Sequence, residues 1–277
     1  MMDAIKVKGF IKGMRELPTI PALLGKIVSV AQDEGSSTQD LHTVISHDQA
    51  LAEKVLRVAN SAFFGHSGEI KDIRQSIMFL GFNKIKSIAI GMTVMDVFPV
   101  HSSFDIKNLW IHGYEVALFA EALSEIISMT SPRECFLAGL LHDIGRIIFY
   151  KMNFKNFLEI ESADDRLEKE KEFFGCTHAE AGAWFALESK LPPEIVSAIQ
   201  FHHNPSHSTL YKDSVSIVSL AEALCSRFSP KRENDSTWKA EHEVLFLEYS
   251  LTDDDIFSVG EKFCASKPEI DEFFKSL

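Results

Sequence analysis

The sequence predicts an all-α fold, a bundle of helices arranged in two lobes. Nearly every periodic segment of the 277-residue chain spaces its apolar residues to form one helix face. No segment alternates apolar and polar residues between hairpin-type turns, so strands are not expected. A polar stretch at residues 99–103 interrupts the helical pattern. We therefore expect an N-terminal lobe over residues 1–100 and a second lobe over residues 101–277, joined in one continuous unit.

The helices of the first lobe have recognisable starts and stops. Pro21 opens a helix predicted over residues 21–31, because a proline is tolerated at the first helical position. Ser37 and its neighbours can cap a short helix that follows, and Asp72 can cap another that Gly81 ends. The remaining helices of this lobe are predicted over residues 49–63, ended by Gly65, and over residues 85–98.

The second lobe shows the same helical periodicity. Its apolar stripes predict helices over residues 111–127, 134–150, 178–189, 192–203 and 214–228. Residues 159–172 are densely charged and are expected to be solvated, and residues 231–237 are expected to form a polar loop. Residues 253–277 are predicted to form two short amphipathic helices. Their phenylalanines are expected to pack on the second lobe, with a partner-docking surface as the alternative: Phe257, Phe263, Phe273 and Phe274.

Charge and cysteine content restrict the class of partner. Lys and Arg total 28 and Asp and Glu total 40, which gives a net charge of −12. Such a chain repels phosphate backbones, and no dense basic patch offsets this charge, so nucleic-acid binding is not expected. The four cysteines form no Cys-x-x-Cys pair, and lysines interrupt the N-terminal segment where a signal peptide would be apolar. We therefore expect reduced, packed cysteines in a cytoplasmic protein without membrane contacts.

A His-Asp pair lies inside the apolar helix predicted over residues 134–150. Burying the imidazole of His142 beside the carboxylate of Asp143 is costly unless a partner compensates both groups. A divalent cation is such a partner, because it accepts a neutral imidazole nitrogen and a carboxylate oxygen together. Gly145 allows another backbone or a ligand to approach this pair closely.

Further candidate ligands lie on successive helices of the second lobe: His112, His178, His202, His203 and Glu222. Adjacent histidines point about 100° apart on a helix, so His202 and His203 can reach two ions, or one ion and a substrate. Taken singly, each buried histidine is more often a hydrogen-bonded core residue, and Glu222 is an ordinary partly exposed acid. Taken together, they favour a site for one or two divalent ions, for which iron, manganese, nickel, cobalt and zinc are all suitable.

This order of residues resembles the signature of the HD superfamily of metal-dependent phosphohydrolases, and the wider arrangement resembles its HD-GYP branch. The resemblance places seven residues on metal-ligand positions: His112, His142, Asp143, His178, His202, His203 and Glu222. Glu222 stands where the superfamily usually has aspartate. Arg146 stands where HD-GYP enzymes carry a lysine that contacts the substrate phosphate. No Gly-Tyr-Pro motif follows His203, so cleavage of cyclic di-GMP is not supported.

Five segments identify a narrower resemblance: residues 17–21 (Leu-Pro-Thr-Ile-Pro), 45–51 (Ile-Ser-His-Asp-Gln-Ala-Leu), 58–65 (Val-Ala-Asn-Ser-Ala-Phe-Phe-Gly), 72–81 and 136–145. Together they resemble the HDOD family, which comprises HD-related output modules of bacterial signal-transduction proteins. Gln49 departs from the proline that this family often has. Most members are not established enzymes and many have lost metal ligands, whereas this chain keeps nearly the full set.

A second His-Asp pair, His47-Asp48, is interpreted differently from the first. Asp48 precedes a predicted helix, and we expect its carboxylate to cap the first turn. Asn60 and Ser61 are expected to form hydrogen bonds within the first lobe, with a ligand-facing role as the alternative. The other histidines have no partner at ligand spacing and are expected in solvent: His42, His66, His101, His207 and His242.

The resemblance implies a regulatory module that acts through protein contacts, with a metal site that is structural or vestigial. Since no receiver or catalytic domain is attached, we expect a regulatory protein partner to act in trans. The alternative is a metal-dependent phosphomonoesterase or phosphodiesterase, in which Asp143 is catalytic and Arg146 anchors a phosphorylated small molecule or nucleotide. The metal, the input signal and the oligomeric state are left open by the sequence.

Overall fold

The computed structural model describes residues 2–14, 20–33, 35–64, 70–98, 104–127, 134–163, 165–229 and 238–275. These residues form α-helices and short 3-10 turns without a β-strand, which confirms the predicted all-α class for the described part of the chain. Several predictions fall outside the described residues: those for segment 17–19, Gly65, His66, the boundary at 99–103, His101 and the loop 231–237.

The helices before residue 99 are α1 (Ala4–Met14), α2 (Ile20–Gln32), α3 (Thr38–Ser46), α4 (Gln49–Ala59), α5 (Ile73–Leu80) and α6 (Phe82–Val97). A 3-10 turn at Ala62–Phe64 follows α4, so that helix is shorter than its periodicity predicts. Local side-chain bonds start these helices. Asp48 and Asp72 each accept a hydrogen bond from the backbone N–H three residues later, at 2.9 Å, and Ser37 forms a capping box. The predicted caps are therefore confirmed.

The helices after residue 103 are α7 (Phe104–Ile126), α8 (Cys135–Leu141), α9 (Ile144–Met152), α10 (Phe154–Glu161), α11 (Arg166–Phe174), α12 (His178–Glu188), α13 (Pro193–Phe201), α14 (Lys212–Phe228), α15 (Ala240–Glu248) and α16 (Asp253–Lys275). A 3-10 turn at Pro205–His207 separates α13 from α14. Every helix in the described ranges is too short or too polar to cross a lipid bilayer.

Helices α7 and α8 cross closely because a glycine of each helix faces the other helix. A Cβ atom on Gly113 would lie 2.6 Å from the carbonyl oxygen of Leu140, and one on Gly139 would lie 2.8 Å from Ala117 Cα. Larger residues at these positions would push the two helices apart. The close crossing brings His112 on α7 beside His142 at the end of α8, with ring centroids 5.3 Å apart.

The N-terminal helix α1 packs against helices that follow residue 103 in the chain. The backbone N–H of Met2 donates to the carbonyl of Phe173 at 2.7 Å, and the ammonium of Lys8 lies 4.3 Å from the ring centroid of Trp184. The buried apolar residues of both halves also form one continuous core. The division into lobes at residues 1–100 and 101–277 stays a proposal, and α1 crosses it.

The helix predicted over residues 134–150 is interrupted at the His-Asp pair, where α8 ends and α9 begins. The Nδ1 atom of His142 donates to the carbonyl of Gly139 at 2.7 Å. In a continuous helix that carbonyl would accept from the N–H of Asp143 instead. The side chain thus takes over a backbone bond, and periodicity alone does not reveal this exchange.

Three expectations of solvent exposure are wrong. Within the charged segment 159–172, Glu170 is only 2% exposed, because it shares one face of α11 with the buried Phe174. His242 is buried, since its Nδ1 accepts from the N–H of Lys239 at 2.9 Å and its Nε2 lies 3.2 Å from the hydroxyl of Ser219. His42 is half-buried rather than solvated, whereas His207 is exposed as predicted.

The C-terminal prediction of two short helices is also wrong, because α16 is a single helix that contains Pro268. Its buried residues continue on one face through the proline, and this tertiary packing outweighs the local helix-breaking preference: Ile256, Val259, Phe263, Ser266, Ile270 and Phe274. Phe257 points to solvent instead of the core, and the side chain of Phe273 lies outside the described part. Among the cysteines, Cys264 is exposed, whereas Cys135, Cys176 and Cys225 are buried as expected.

A buried ion pair joins α6 to the start of α8. Lys86 Nζ lies 2.6 Å from Glu134 Oε1, and both residues are buried. Burial raises the pKa of Glu134, although Lys86 opposes this effect. We expect Lys86→Met to lower the free energy of unfolding by about 3–5 kcal/mol, because it leaves a buried carboxylate unpaired.

Urea unfolding measures this loss. The matched control is Lys212→Met, which breaks an exposed pair with Glu248 and should cost less than about 1 kcal/mol. The folded state binds the proton of Glu134 more tightly than the unfolded chain does, so the loss should shrink as the pH falls toward the raised pKa. Equal losses for the two variants would contradict the energetic importance of the buried pair.

Candidate metal centre

Asp143 lies at the centre of a buried group of histidines. Although it precedes α9 in the N-cap position, its carboxylate makes no capping hydrogen bond and faces the group instead. Its Oδ1 atom lies 3.1 Å from His178 Nε2 and 3.9 Å from His202 Nε2. Its Oδ2 atom lies 3.6 Å from His142 Nε2 and 3.9 Å from His112 Nε2. Four imidazoles from different parts of the chain therefore converge on one carboxylate.

His142 and His202 are held by the same local arrangement. Each follows the last residue of its helix, and each Nδ1 donates to the carbonyl three residues earlier, that of Gly139 at 2.7 Å or Ile199 at 2.8 Å. Because Nδ1 carries the proton, each Nε2 carries a lone pair. Both Nε2 atoms are shielded from solvent and have no hydrogen-bond partner within the described ranges. Burial, with the neighbouring His142 and His178, holds the pKa of His202 well below its ordinary value.

These two lone pairs are the observation that best matches a cation site. An unpaired polar atom in the interior costs free energy, and no donor in the described chain satisfies either nitrogen. Histidines that bind metals commonly donate their other ring N–H to a carbonyl or a carboxylate, which fixes the tautomer. The residues therefore fit a divalent ion.

Carboxylates flank both ring nitrogens of His178. Its Nδ1 lies 2.8 Å from Oε2 of Glu170 on α11, and its backbone N–H donates to the same oxygen at 2.8 Å. Burial lowers the pKa of His178, but Glu170 and Asp143 outweigh burial and raise the pKa to about 10. A proton on this imidazole thus supplies positive charge between two carboxylates. A bound cation would replace that charge and release the proton.

His203 and Glu222 form the more exposed side of the group, with side chains 22% and 17% exposed. His203 Nδ1 lies 3.8 Å from Glu222 Oε2, and His203 Nε2 lies 3.0 Å from His178 Nε2. Burial, with His202 and His178, lowers the pKa of His203, and burial raises the pKa of Glu222. Water or a ligand would reach the group from this side.

The structure brings all seven predicted ligands together in two sets, and the donor atoms of each set lie within 4.8 Å of one another. One set consists of Asp143, His178, His202 and His203, and the other of His112, His142 and Glu222. Asp143 faces both sets because its two oxygens point to different histidines. The arrangement suits one ion, or two ions bridged by a carboxylate.

Arg146 lies one turn beyond Asp143 and is buried with it. One guanidinium nitrogen donates to Asp143 Oδ2 and another to Glu161 Oε1 on α10. Burial raises the pKa of Asp143, but Arg146, His142 and His178 outweigh this effect and hold it well below its ordinary value. The guanidinium is thus already paired twice, and its predicted role as an anion anchor stays a prediction.

The sequence reasoning missed three residues beside the group: Glu170, Glu115 and Cys225. Cys225 Sγ lies 3.7 Å from both His112 Nδ1 and Glu115 Oε2, and all three residues are buried. Glu115 stands three positions after His112, and Cys225 three after Glu222, so both share a helix face with a predicted ligand. That spacing could have identified Glu115 and Cys225 from the sequence, whereas it gives no signal for Glu170.

An all-helical fold that buries a histidine–carboxylate group around a His-Asp pair defines an HD-like protein. The chain belongs to the HDOD domain family, whose model matches residues 17–205. The predicted family is therefore confirmed. An "Uncharacterized protein" of Treponema pallidum (strain Nichols) is 26% identical over 215 residues. The match covers 74% of this chain and 41% of that relative, so this chain spans well under half of its length.

Solved structures share the fold of this chain. A "Putative phosphohydrolase" from Shewanella amazonensis SB2B superposes with a TM-score of 0.75 at 25% identity, covering 96% of this chain and 97% of that one. An HDOD domain protein with unknown function from Geobacter sulfurreducens gives a TM-score of 0.75 at 22% identity, covering 98% and 97%. A "Putative metal-dependent phosphohydrolase" from Shewanella amazonensis SB2B gives 0.65 at 19% identity, covering 97% of each chain. The last two similarities concern the fold alone.

Proposed function

We propose that this chain is a bacterial signal-transduction module that acts through protein contacts and holds a divalent-metal centre. The unpartnered Nε2 atoms of His142 and His202 beside Asp143 carry the metal part of the proposal. Membership of the HDOD family supports the regulatory part. The partner is a regulatory protein that acts in trans and recognises the helical surface.

The proposed ligands are the seven residues of the two sets described above: His112, His142, Asp143, His178, His202, His203 and Glu222. Mixed imidazole and carboxylate donors suit iron, manganese, nickel, cobalt or zinc. These ligands lie in or directly next to α7, α8, α12, α13 and α14, so a bound ion would tie these helices together. Metal loading would therefore stabilise the arrangement of the second lobe that a partner recognises.

A second candidate function is phosphohydrolase activity, favoured by the exposed side formed by His203 and Glu222. An ion bound on this side would lower the pKa of the water bound to it and would neutralise charge on the phosphate oxygens of a substrate. The twice-paired guanidinium of Arg146 favours the regulatory module, because it would have to leave a carboxylate before binding a phosphate.

Two measurements on protein purified without a histidine tag separate these candidates. Metal analysis should find a near-stoichiometric divalent ion, and metal-free protein of unchanged fold would contradict the metal centre. A panel of phosphomonoesters and phosphodiesters should show no metal-dependent turnover if the chain is a regulatory module alone. Turnover that disappears in His142→Ala would instead establish the enzyme.

Glu170→Ala should weaken metal binding by about 10–100-fold, because it removes the carboxylate that orients His178 Nδ1. Competition with a fluorescent chelator measures this affinity. The matched control is Glu168→Ala, an exposed position on the same helix that should leave the affinity unchanged. Equal affinities for the two variants would show that Glu170 does not support the centre.

A further inference from the structure

A cavity of about 450 Å³ lies away from the histidine group, between the end of α4, its following 3-10 turn, α7 and α16. Its volume falls within the range of about 300–1,000 Å³ that is usual for small-molecule sites. None of the proposed metal ligands lines it. An inference about this cavity is therefore independent of the metal centre.

The inner part of the cavity presents hydroxyl groups among apolar side chains. Tyr114 and Ser266 line it and are buried, next to the apolar Leu118 and Ile270. Ser61 Oγ also lines it and is shielded from solvent. Burial and nearby Glu269 raise the pKa of Tyr114, with Ser61 opposing. The phenol therefore stays neutral and can donate or accept.

Asn60 holds this wall of the cavity in place. Its side-chain amide donates to the carbonyls of Ile70 at 2.8 Å and Leu56 at 3.1 Å, and its Oδ1 accepts from the N–H of Ile70 at 3.0 Å. The predicted hydrogen-bonding role of Asn60 is thus confirmed. The three hydrogen bonds of Asn60 fix the backbone that carries the neighbouring Ser61 at the cavity wall. A wall that is already ordered lowers the entropic cost of binding a ligand.

The mouth of the cavity is acidic on balance. Glu269 and Glu272 of α16 line it together with one cation, Arg57 of α4. The two carboxylates stand three positions apart, on one face of their helix. An excess of one negative charge beside apolar walls favours a positively charged ligand with an aliphatic stem.

We propose that this cavity binds a small aliphatic compound that carries a primary ammonium group. The ammonium lies at Glu269 and Glu272, the stem packs on Leu118 and Ile270, and the inner hydroxyls receive a second polar end. Polyamines and basic amino acids share this chemistry. They differ in one group, because an amino acid carries a carboxylate that Arg57 would contact and a polyamine does not.

Titration calorimetry with a matched series tests the proposal on the whole chain. Hexylamine should bind saturably, whereas hexanol and hexanoate should bind far more weakly. Glu269→Gln should weaken hexylamine binding by about tenfold or more, because a hydrogen bond to a charged group is lost. Glu261→Gln, exposed on the same helix and outside the cavity, should leave it unchanged. A melting curve verifies that each variant is folded.

Titrations with putrescine, spermidine and L-lysine then distinguish a polyamine site from a basic amino-acid site. Arg57→Gln should weaken lysine binding and leave polyamine binding intact. Equal binding of hexanol and hexylamine would overturn the ammonium assignment, because the cavity would then recognise only apolar volume. Absence of saturable binding by every compound, or equal affinities in Glu269→Gln and the unaltered protein, would overturn the site. If Glu269→Gln fails to fold, Glu272→Gln, which alters the exposed second carboxylate at the mouth, should weaken hexylamine binding in its place, and unchanged binding would overturn the site.

Discussion

Replacing His142 by Ala together with Asp143 by Asn should reduce bound divalent metal to background in the purified, tag-free protein. The two oxygens of Asp143 face four imidazoles, so its replacement removes a candidate ligand that faces both sets of donors. His142 contributes a shielded lone pair with no other partner in the described chain. Elemental mass spectrometry measures the metal after dialysis. Circular dichroism verifies that the helices remain.

The chain provides its own matched control for this experiment. His47→Ala with Asp48→Asn alters the second His-Asp pair, and metal content should not change. The carboxylate of Asp48 is occupied by the N–H of Leu51, a bond that asparagine can also accept, and His47 is exposed. Equal metal loss in both double variants would mean that the metal binds elsewhere, and the assignment to Asp143 would fail.

The contrast between the two His-Asp pairs shows what local sequence can predict. A capping bond spans three residues, so the position of Asp48 before an apolar helix was sufficient to predict its role. Asp143 also stands at a helix start but makes no capping bond, because its carboxylate faces groups distant in the chain. The seven candidate side chains nevertheless lie together in the structure, because the apolar helices that carry or adjoin them pack against one another, and their role as metal ligands stays a prediction.

Residues that act through tertiary neighbours were harder to predict. Glu170 lies in a segment so rich in charge that solvation was expected, whereas in the structure it is buried and contacts His178 at the start of α12. The carboxylate of Glu115 forms an ion pair with Lys267 of α16, which is distant in the sequence. The break between α8 and α9 depends on one ring nitrogen that replaces a backbone donor, and apolar periodicity does not contain that information.

Gly145→Ala should destabilise the fold by about 3 kcal/mol and loosen the metal centre as well. A Cβ at this position would lie 1.9 Å from the carbonyl oxygen of His178 and 2.9 Å from the N–H nitrogen of Gly182. Both contacts are backbone atoms, which cannot rotate away, so α9 and α12 must separate. That movement would carry the His178 imidazole away from Asp143, whose Oδ1 lies 3.1 Å from it. The predicted close approach of a backbone at Gly145 is confirmed by this contact.

Gly9→Ala is the matched control, because it adds the same methyl group inside α1 with no atom within 4 Å. This change should stabilise the protein by about 0.5–1 kcal/mol, since alanine is the better helix former. Urea unfolding gives both free energies, and chelator competition gives the metal affinities. Destabilisation by Gly145→Ala with unchanged metal affinity would separate helix packing from ligand placement. Identical unfolding curves for the two variants would show that α9 and α12 can absorb the added methyl group, and the proposed coupling between their packing and the metal centre would be wrong.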